Sequence, residues 1–181
     1  MRKILIPLAF GFEEIEAITC IDVLRRTELE VITVSIDKME VLGAHNIVVK
    51  SDALIDDINW TDFDAIVLPG GMPGSANLRD NEKVISIVKQ LYSENKLVAA
   101  ICAAPIVLEK AGVIVNKNAT SYPGFDKEMT SCNYMENRVV VDGNVITARG
   151  PGVAIEFSLT VVEYLLGKGI VEELKVGMLV K

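Results

Sequence analysis

One histidine in 181 residues is the first limit on what this chain can do. A cysteine–histidine nucleophile pair would have to recruit His45, which falls in a short turn-rich segment and reads more simply as a rim residue. A zinc centre needs several Cys and His ligands at short spacing. The three cysteines, Cys20, Cys102 and Cys132, include no CxxC pair, so no metal site is expected. An odd, sparse set of cysteines also implies reduced thiols and a cytoplasmic setting. No secretory leader is visible. Met1-Arg2-Lys3 precedes a short apolar run, but Pro7 and Glu13-Glu14 do not fit a signal peptide. No stretch approaches the roughly 20 apolar residues of a membrane span, so no membrane partner is expected. Lys/Arg-rich runs are missing too, the pair Arg25-Arg26 being too small to count. With 18 basic against 25 acidic residues and a net charge of -7, a nucleic-acid partner is not expected. What the chain does have is apolar content: 50% hydrophobic against 24% charged, enough for a sizeable core. The length suits one domain, residues 1–181, and no linker or internal repeat interrupts it.

Lys3 to Ala9 is a continuous apolar run of strand length. After the turn Phe10-Gly11-Phe12, Glu13 to Arg26 reads as a helix, with acids in its first turn and Arg25-Arg26 in its last. Glu30 to Asp37 is β-branched and alternating, hence a strand. Val41 to Lys50 contains Gly43 and Asn46 and reads as a small hairpin. Ala65 to Leu68 is a short buried strand running into Pro69-Gly70-Gly71, and Asn81 to Asn95 has helical spacing. Leu97 to Ile101 is another apolar strand, followed by a helix from Ala103 to Ala111 that Gly112 closes. Arg138 to Ala148 is a hairpin about Asp142-Gly143-Asn144, and Gly152 to Leu166 reads as the final helix. Apolar strands alternating with helices define an α/β fold with a mostly parallel sheet covered on both faces. Sites in such sheets lie at the carboxyl ends of strands, which selects the loops at residues 10–16, 69–74 and 102–105.

Cys102 falls where a buried strand runs straight into a helix, and Ala103-Ala104-Pro105 follow it. Small residues after a strand-end nucleophile permit a sharp turn that presents the side chain at the sheet edge. A helix N-terminus there would lower the thiol pKa, and the N–H of Ala103 could hold an oxyanion. The alternative is an inert thiol packed as a small hydrophobe. Gly70 and Gly71 allow a second backbone donor to approach, or are simply turn glycines. Glu13 and Glu14 read as water-facing partners of the helix dipole. Glu16 instead shares a helical stripe with Cys20, Val23 and Leu24, so it should be buried, raised in pKa and protonated near neutrality. Tyr122, in Ser121-Tyr122-Pro123-Gly124, lines a pocket or is a packed aromatic with a wet hydroxyl. The first helix carries apolar residues on two sides, Ile18 and Ile21 on one and Cys20, Val23 and Leu24 on the other, with Ile15 between. The surplus predicts a homodimer, unless the hairpin or the final helix covers the second side within one chain.

Four segments carry a resemblance: Gly11 to Ala17, Val67 to Gly71, Ala99 to Pro105, and Arg149-Gly150-Pro151-Gly152 followed by Glu156-Phe157. In this order they resemble the ThiJ/PfpI superfamily, in its parkinsonism-associated deglycase branch. The resemblance implies a flavodoxin-like three-layer sandwich, usually a homodimer. It implies Cys102 as nucleophile, Glu16 as the protonated carboxyl touching it, and the backbone of Gly71 and Ala103 as oxyanion donors. It also implies cofactor-free conversion of glyoxal-type dicarbonyls to hydroxy acids, or removal of early glycation adducts. The partner would be a small carbonyl substrate or a glycated protein. The alternative within the same resemblance is an oxidative-stress redox sensor or chaperone-like protein using the same cysteine. Two departures stand out. Ala103 follows the nucleophile where protease-like members carry His, and Tyr122 stands where the deglycase branch often has His. Both argue against proteolysis and leave proton transfer to Glu16 or water. His45 stands at a position often held by Arg, with Arg26 nearby in the family arrangement, so Tyr122, His45 and Arg26 are the pocket candidates.

Overall fold

Six of seven strands in the central sheet run parallel, and helices carry the chain back after the first strand and between the two central strands at residues 65–68 and 97–101. The structure is a computed structural model and describes residues 1–180. In chain order the elements are β1 (Lys3–Leu8), α1 (Glu14–Arg25), β2 (Glu30–Ser35), β3 (Glu40–Leu42), β4 (Val48–Lys50), β5 (Ala53–Leu54), β6 (Ala65–Leu68), α2 (Gly74–Arg79), α3 (Glu82–Ser93), β7 (Leu97–Ile101), α4 (Pro105–Ala111), β8 (Asn118–Ala119), β9 (Asn133–Tyr134), β10 (Val139–Asp142), β11 (Val145–Ala148), α5 (Ala154–Leu166) and α6 (Lys168–Met178). The sheet order is β10-β11-β7-β6-β1-β2-β5, with only β10 antiparallel.

The two faces of the pleat feed two cores. Ile4, Ile6 and Leu8 of β1 point to the side covered by α1, α5 and α6, while Leu5 points to the side covered by α2, α3 and α4. The three layers are those of a flavodoxin-like sandwich. Each central strand is buried on both faces, which is why β6 and β7 read as unbroken apolar runs. After β1 the chain moves outward to β2, then returns to place β6 on the other side of β1. That reversal is the topological switch point, and the loops after β1, β6 and β7 converge there.

The structure corrects the expected ending. The helix over residues 154–166 is followed by α6, whose buried Val171 and Leu174 close one core. Gly167 does end α5, but the chain restarts as a helix immediately. The helix at residues 82–93 starts one residue after Asn81, whose side-chain oxygen accepts from the N–H groups of Lys83 and Val84 at 3.0 and 3.1 Å. Among the described residues, no helix is long and apolar enough to cross a membrane.

Candidate active site

Cys102 occupies the left-handed region of backbone space, φ +64°, between the end of β7 and the first turn of α4. A non-glycine residue there is strained, and its neighbours hold it in place. Its N–H donates to Ala148 O at 2.9 Å and its carbonyl accepts from Tyr122 N–H at 2.8 Å. The bend turns Sγ toward the backbone N–H groups of Gly71 and Ala103, both of which hydrogen-bond to the sulfur. Gly71 reaches this position with φ +90°; a Cβ on it would stand 2.6 Å from Gly11 O. Gly70 is equally constrained by space. A Cβ there would lie 2.5 Å from Glu16 Oε2 and 2.6 Å from Cys102 Cβ.

Glu16 sits in the first turn of α1 and is completely buried. Its stripe partners Cys20, Val23 and Leu24 are buried with it, as the helical spacing required. Oε2 accepts from Gly70 N–H at 2.8 Å, and the Cys102 thiol is the carboxyl's side-chain partner. Oε1 is sealed from solvent and has no hydrogen-bond partner. Burial pushes the Glu16 pKa up from 4.5 to about 7, with the Glu13 charge adding to it and the bonds to Cys102 and Gly70 opposing.

The expected lowering of the thiol pKa is not what the structure shows. Burial, then the charge and hydrogen bond of an ionised Glu16, push Cys102 up to about 12, against the opposing N–H groups of Gly71 and Ala103. α4 has only seven residues, and burial plus a neighbouring carboxylate outweigh its N-terminal field. The two groups titrate as a coupled pair, so between about 7 and about 12 they share one negative charge. With that charge on sulfur, the carboxyl proton bridges to it. Cys20, by contrast, is pushed to about 12 by burial, with the Glu16 charge adding to it and the Ser158 hydroxyl, which donates to Sγ at 3.3 Å, opposing.

Glu14 overturns the water-facing reading. It is 5% exposed, because the β3–β4 hairpin folds over the start of α1. Its Oε1 accepts from His45 N–H at 2.6 Å and Ile47 N–H at 3.4 Å, and its Oε2 lies 2.9 Å from His45 Nδ1. Burial works to raise Glu14, but these bonds outweigh it and hold the carboxyl low. The bond to Glu14, then the Glu13 charge, raise the exposed His45. His45 is thus tied to two acids at the rim, and the first helix's dipole already favours those acids. Glu13 itself anchors the site through backbone, donating its N–H to Gly70 O at 2.9 Å. The structure does not bring Arg26 to Cys102. It follows the C-terminus of α1, pairs with Asp22 at 2.8 Å, and lines a separate groove of about 580 Å³ with Leu166 and Leu174. Tyr122 does reach the site, its ring beside Gly150. Sequence reasoning gave Gly150 no role of its own; its place in a signature segment was the available signal.

An elbow cysteine, a buried carboxyl and two backbone donors at the switch point of a flavodoxin-like sheet define a class of α/β proteins with a thiol-centred site. This chain belongs to the DJ-1/PfpI family, whose family model matches residues 2–164. It is 39% identical over 168 residues to DJ-1 homolog B of Arabidopsis thaliana, covering 92% of this chain but 38% of that protein. The chain thus spans well under half of that plant relative. It is 38% identical over 152 residues to a protein of Pyrococcus abyssi named as a deglycase, covering 83% of this chain and 91% of that one. The crystal structure of Drosophila melanogaster DJ-1beta superposes with a TM-score of 0.96 at 38% identity, covering 99% of this chain and 98% of that one.

Proposed function

We propose that this chain is a cysteine-dependent enzyme that converts small α-oxoaldehydes, or the early adducts they form with amines, to hydroxy acids. The observation that carries the reading is the contact between the strained Cys102 and the buried carboxyl of Glu16, with the N–H groups of Gly71 and Ala103 aimed at the same sulfur. Sulfur adds to the aldehyde carbon, and the resulting hemithioacetal oxygen lies between those two donors. Glu16 removes the proton from that carbon and returns it to the adjacent ketone carbon through an enediol. Water then cleaves the thioester, releasing the hydroxy acid and restoring the thiol. One carbon is oxidised and its neighbour reduced, so a free oxoaldehyde gains only water; from an amine adduct, sulfur displaces the amine, which leaves with the thiol proton, and the rest of the sequence is the same. The Pyrococcus relative's name supports the deglycase form of this chemistry. Proteolysis fits poorly, because the sole imidazole is bound to Glu14.

Incubation with methylglyoxal and measurement of lactate tests the proposal. Turnover that survives unchanged in both Cys102→Ala and Glu16→Gln sinks it.

The same two donors and carboxyl would also hold a sulfinate on Cys102, which keeps an oxidation sensor as the second reading. Intact-mass measurement after mild peroxide separates the two. Two oxygens confined to Cys102 without dicarbonyl turnover favour the sensor.

The homodimer is proposed on a narrower surface. Ile21 is covered within the chain, where α5 packs against α1. Ile15 and Ile18 of α1 remain exposed, as do Ile47 and Val48 of the hairpin that Glu14 ties to that helix. A second copy covering these four residues is the assembly this surface supports.

A further inference from the structure

We infer that Tyr122 and Gly150 set the acyl-group preference of the Cys102 site, favouring aryl over methyl α-oxoaldehydes. The inference rests on the dicarbonyl reading above and names the substrate subclass.

The two loops that bracket the Cys102 peptide are the loops that carry this pair. Tyr122 N–H donates to Cys102 O at 2.8 Å, and Cys102 N–H donates to Ala148 O at 2.9 Å, two residues before Gly150. The ring is therefore registered to the thiol through backbone. Ring and sulfur meet at Gly150. A Cβ built there would stand 3.1 Å from Tyr122 Cδ2, 3.6 Å from Cε2 and 3.9 Å from Cys102 Sγ. One point in space is thus within van der Waals reach of both the phenol ring and the nucleophile, and only a hydrogen of Gly150 faces it. With φ 162°, Gly150 is extended backbone that any residue adopts, so its conformation does not demand glycine; a Cβ there would instead press on the Tyr122 ring, which would have to give by a few tenths of an ångström. The other sides of the sulfur are taken, by the N–H groups of Gly71 and Ala103 and by Glu16. A carbonyl compound attached to Sγ, with its oxygen on the two donors, directs its remaining substituent toward Gly150 and Tyr122. Tyr122 is 47% exposed, which leaves ring surface for that substituent. Aromatic pairs in offset or edge contact gain beyond simple burial, enough for a preference of up to about tenfold. An imidazole at residue 122 would present a smaller, more polar wall.

Two ratios test the wall. The first is the rate of Cys102 alkylation by 2-bromoacetophenone against bromoacetone, relative to the same ratio for a free thiol. In both reagents sulfur forms the carbon bond, bromide leaves and the thiol proton passes to Glu16 or buffer. The second is kcat/KM for phenylglyoxal against methylglyoxal. Both ratios should fall by about two- to tenfold in Tyr122→Ala and Tyr122→Leu, and hold in Tyr122→Phe. Gly150→Ala should depress the aryl rates more than the methyl rates. Ratios equal in the parent and in both ring-less variants overturn the inference. Alkylation that follows Tyr122 without any dicarbonyl turnover keeps the wall and removes the catalytic reading. Turnover with unmoved ratios does the reverse.

Discussion

Glu16→Gln should make this protein more stable at alkaline pH while abolishing dicarbonyl turnover. The carboxyl is raised from 4.5 to about 7 by burial. A group whose folded pKa exceeds its unfolded value favours folding in its protonated form. That contribution is complete below about 4.5 and is lost as pH rises through about 7. At about 1.4 kcal/mol per pH unit, the ionised carboxyl costs ~3 kcal/mol at pH 8. Glutamine keeps the shape, still accepts from Gly70 N–H through its oxygen, and never ionises. Urea denaturation should therefore give parent and variant similar stabilities near pH 4.5 and a gap of ~3 kcal/mol in the variant's favour at pH 8. For a domain of this size the gap corresponds to about 6–12 °C in Tm. The Cys102 thiol complicates only the upper limb, because it titrates near 12. Parallel pH profiles for parent and variant between 4.5 and 8 would falsify the burial argument, as would a variant less stable at pH 8.

Strain at Cys102, φ +64°, predicts that Cys102→Gly is more stable than Cys102→Ala by about 1 kcal/mol in chemical denaturation; the opposite order removes the strained elbow. Gly70→Ala should lose both stability and thiol reactivity, since its Cβ would stand 2.8 Å from Ile101 O as well as 2.5 Å from Glu16 Oε2; a variant with parental melting and alkylation rates contradicts that packing. His45 should titrate above 6.5 by NMR and move back toward it in Glu14→Gln, because the bond to Glu14 is the largest cause of its shift; an unmoved resonance breaks the assignment. Sedimentation equilibrium should show a two-chain species that Ile18→Glu converts to one chain; a monomeric parent at micromolar concentration ends the dimer proposal.

The sequence by itself determined the layers and the place of the thiol. Periodicity two or a wholly apolar run distinguishes a buried strand, and Leu97–Ile101 ran without ambiguity into the small residues around Cys102. Helical spacing put Glu16 on the stripe of Cys20, Val23 and Leu24, so its burial was legible from local geometry alone. α6 was not, because Gly167 marks the end of one helix without showing whether another begins. Tertiary structure decided everything that depends on segments distant in the chain. Glu14 is buried because a hairpin some 30 residues later lays its N–H groups on the carboxylate, and no helical pattern encodes that contact. The thiol pKa turned on the same kind of fact: a helix N-terminus is visible in sequence, whereas desolvation and the carboxylate beside Sγ arise only when α1 packs against the end of β7. Gly150 stands 48 residues from Cys102 in the chain and shares a van der Waals gap with its sulfur, and only the closed sheet brings them together.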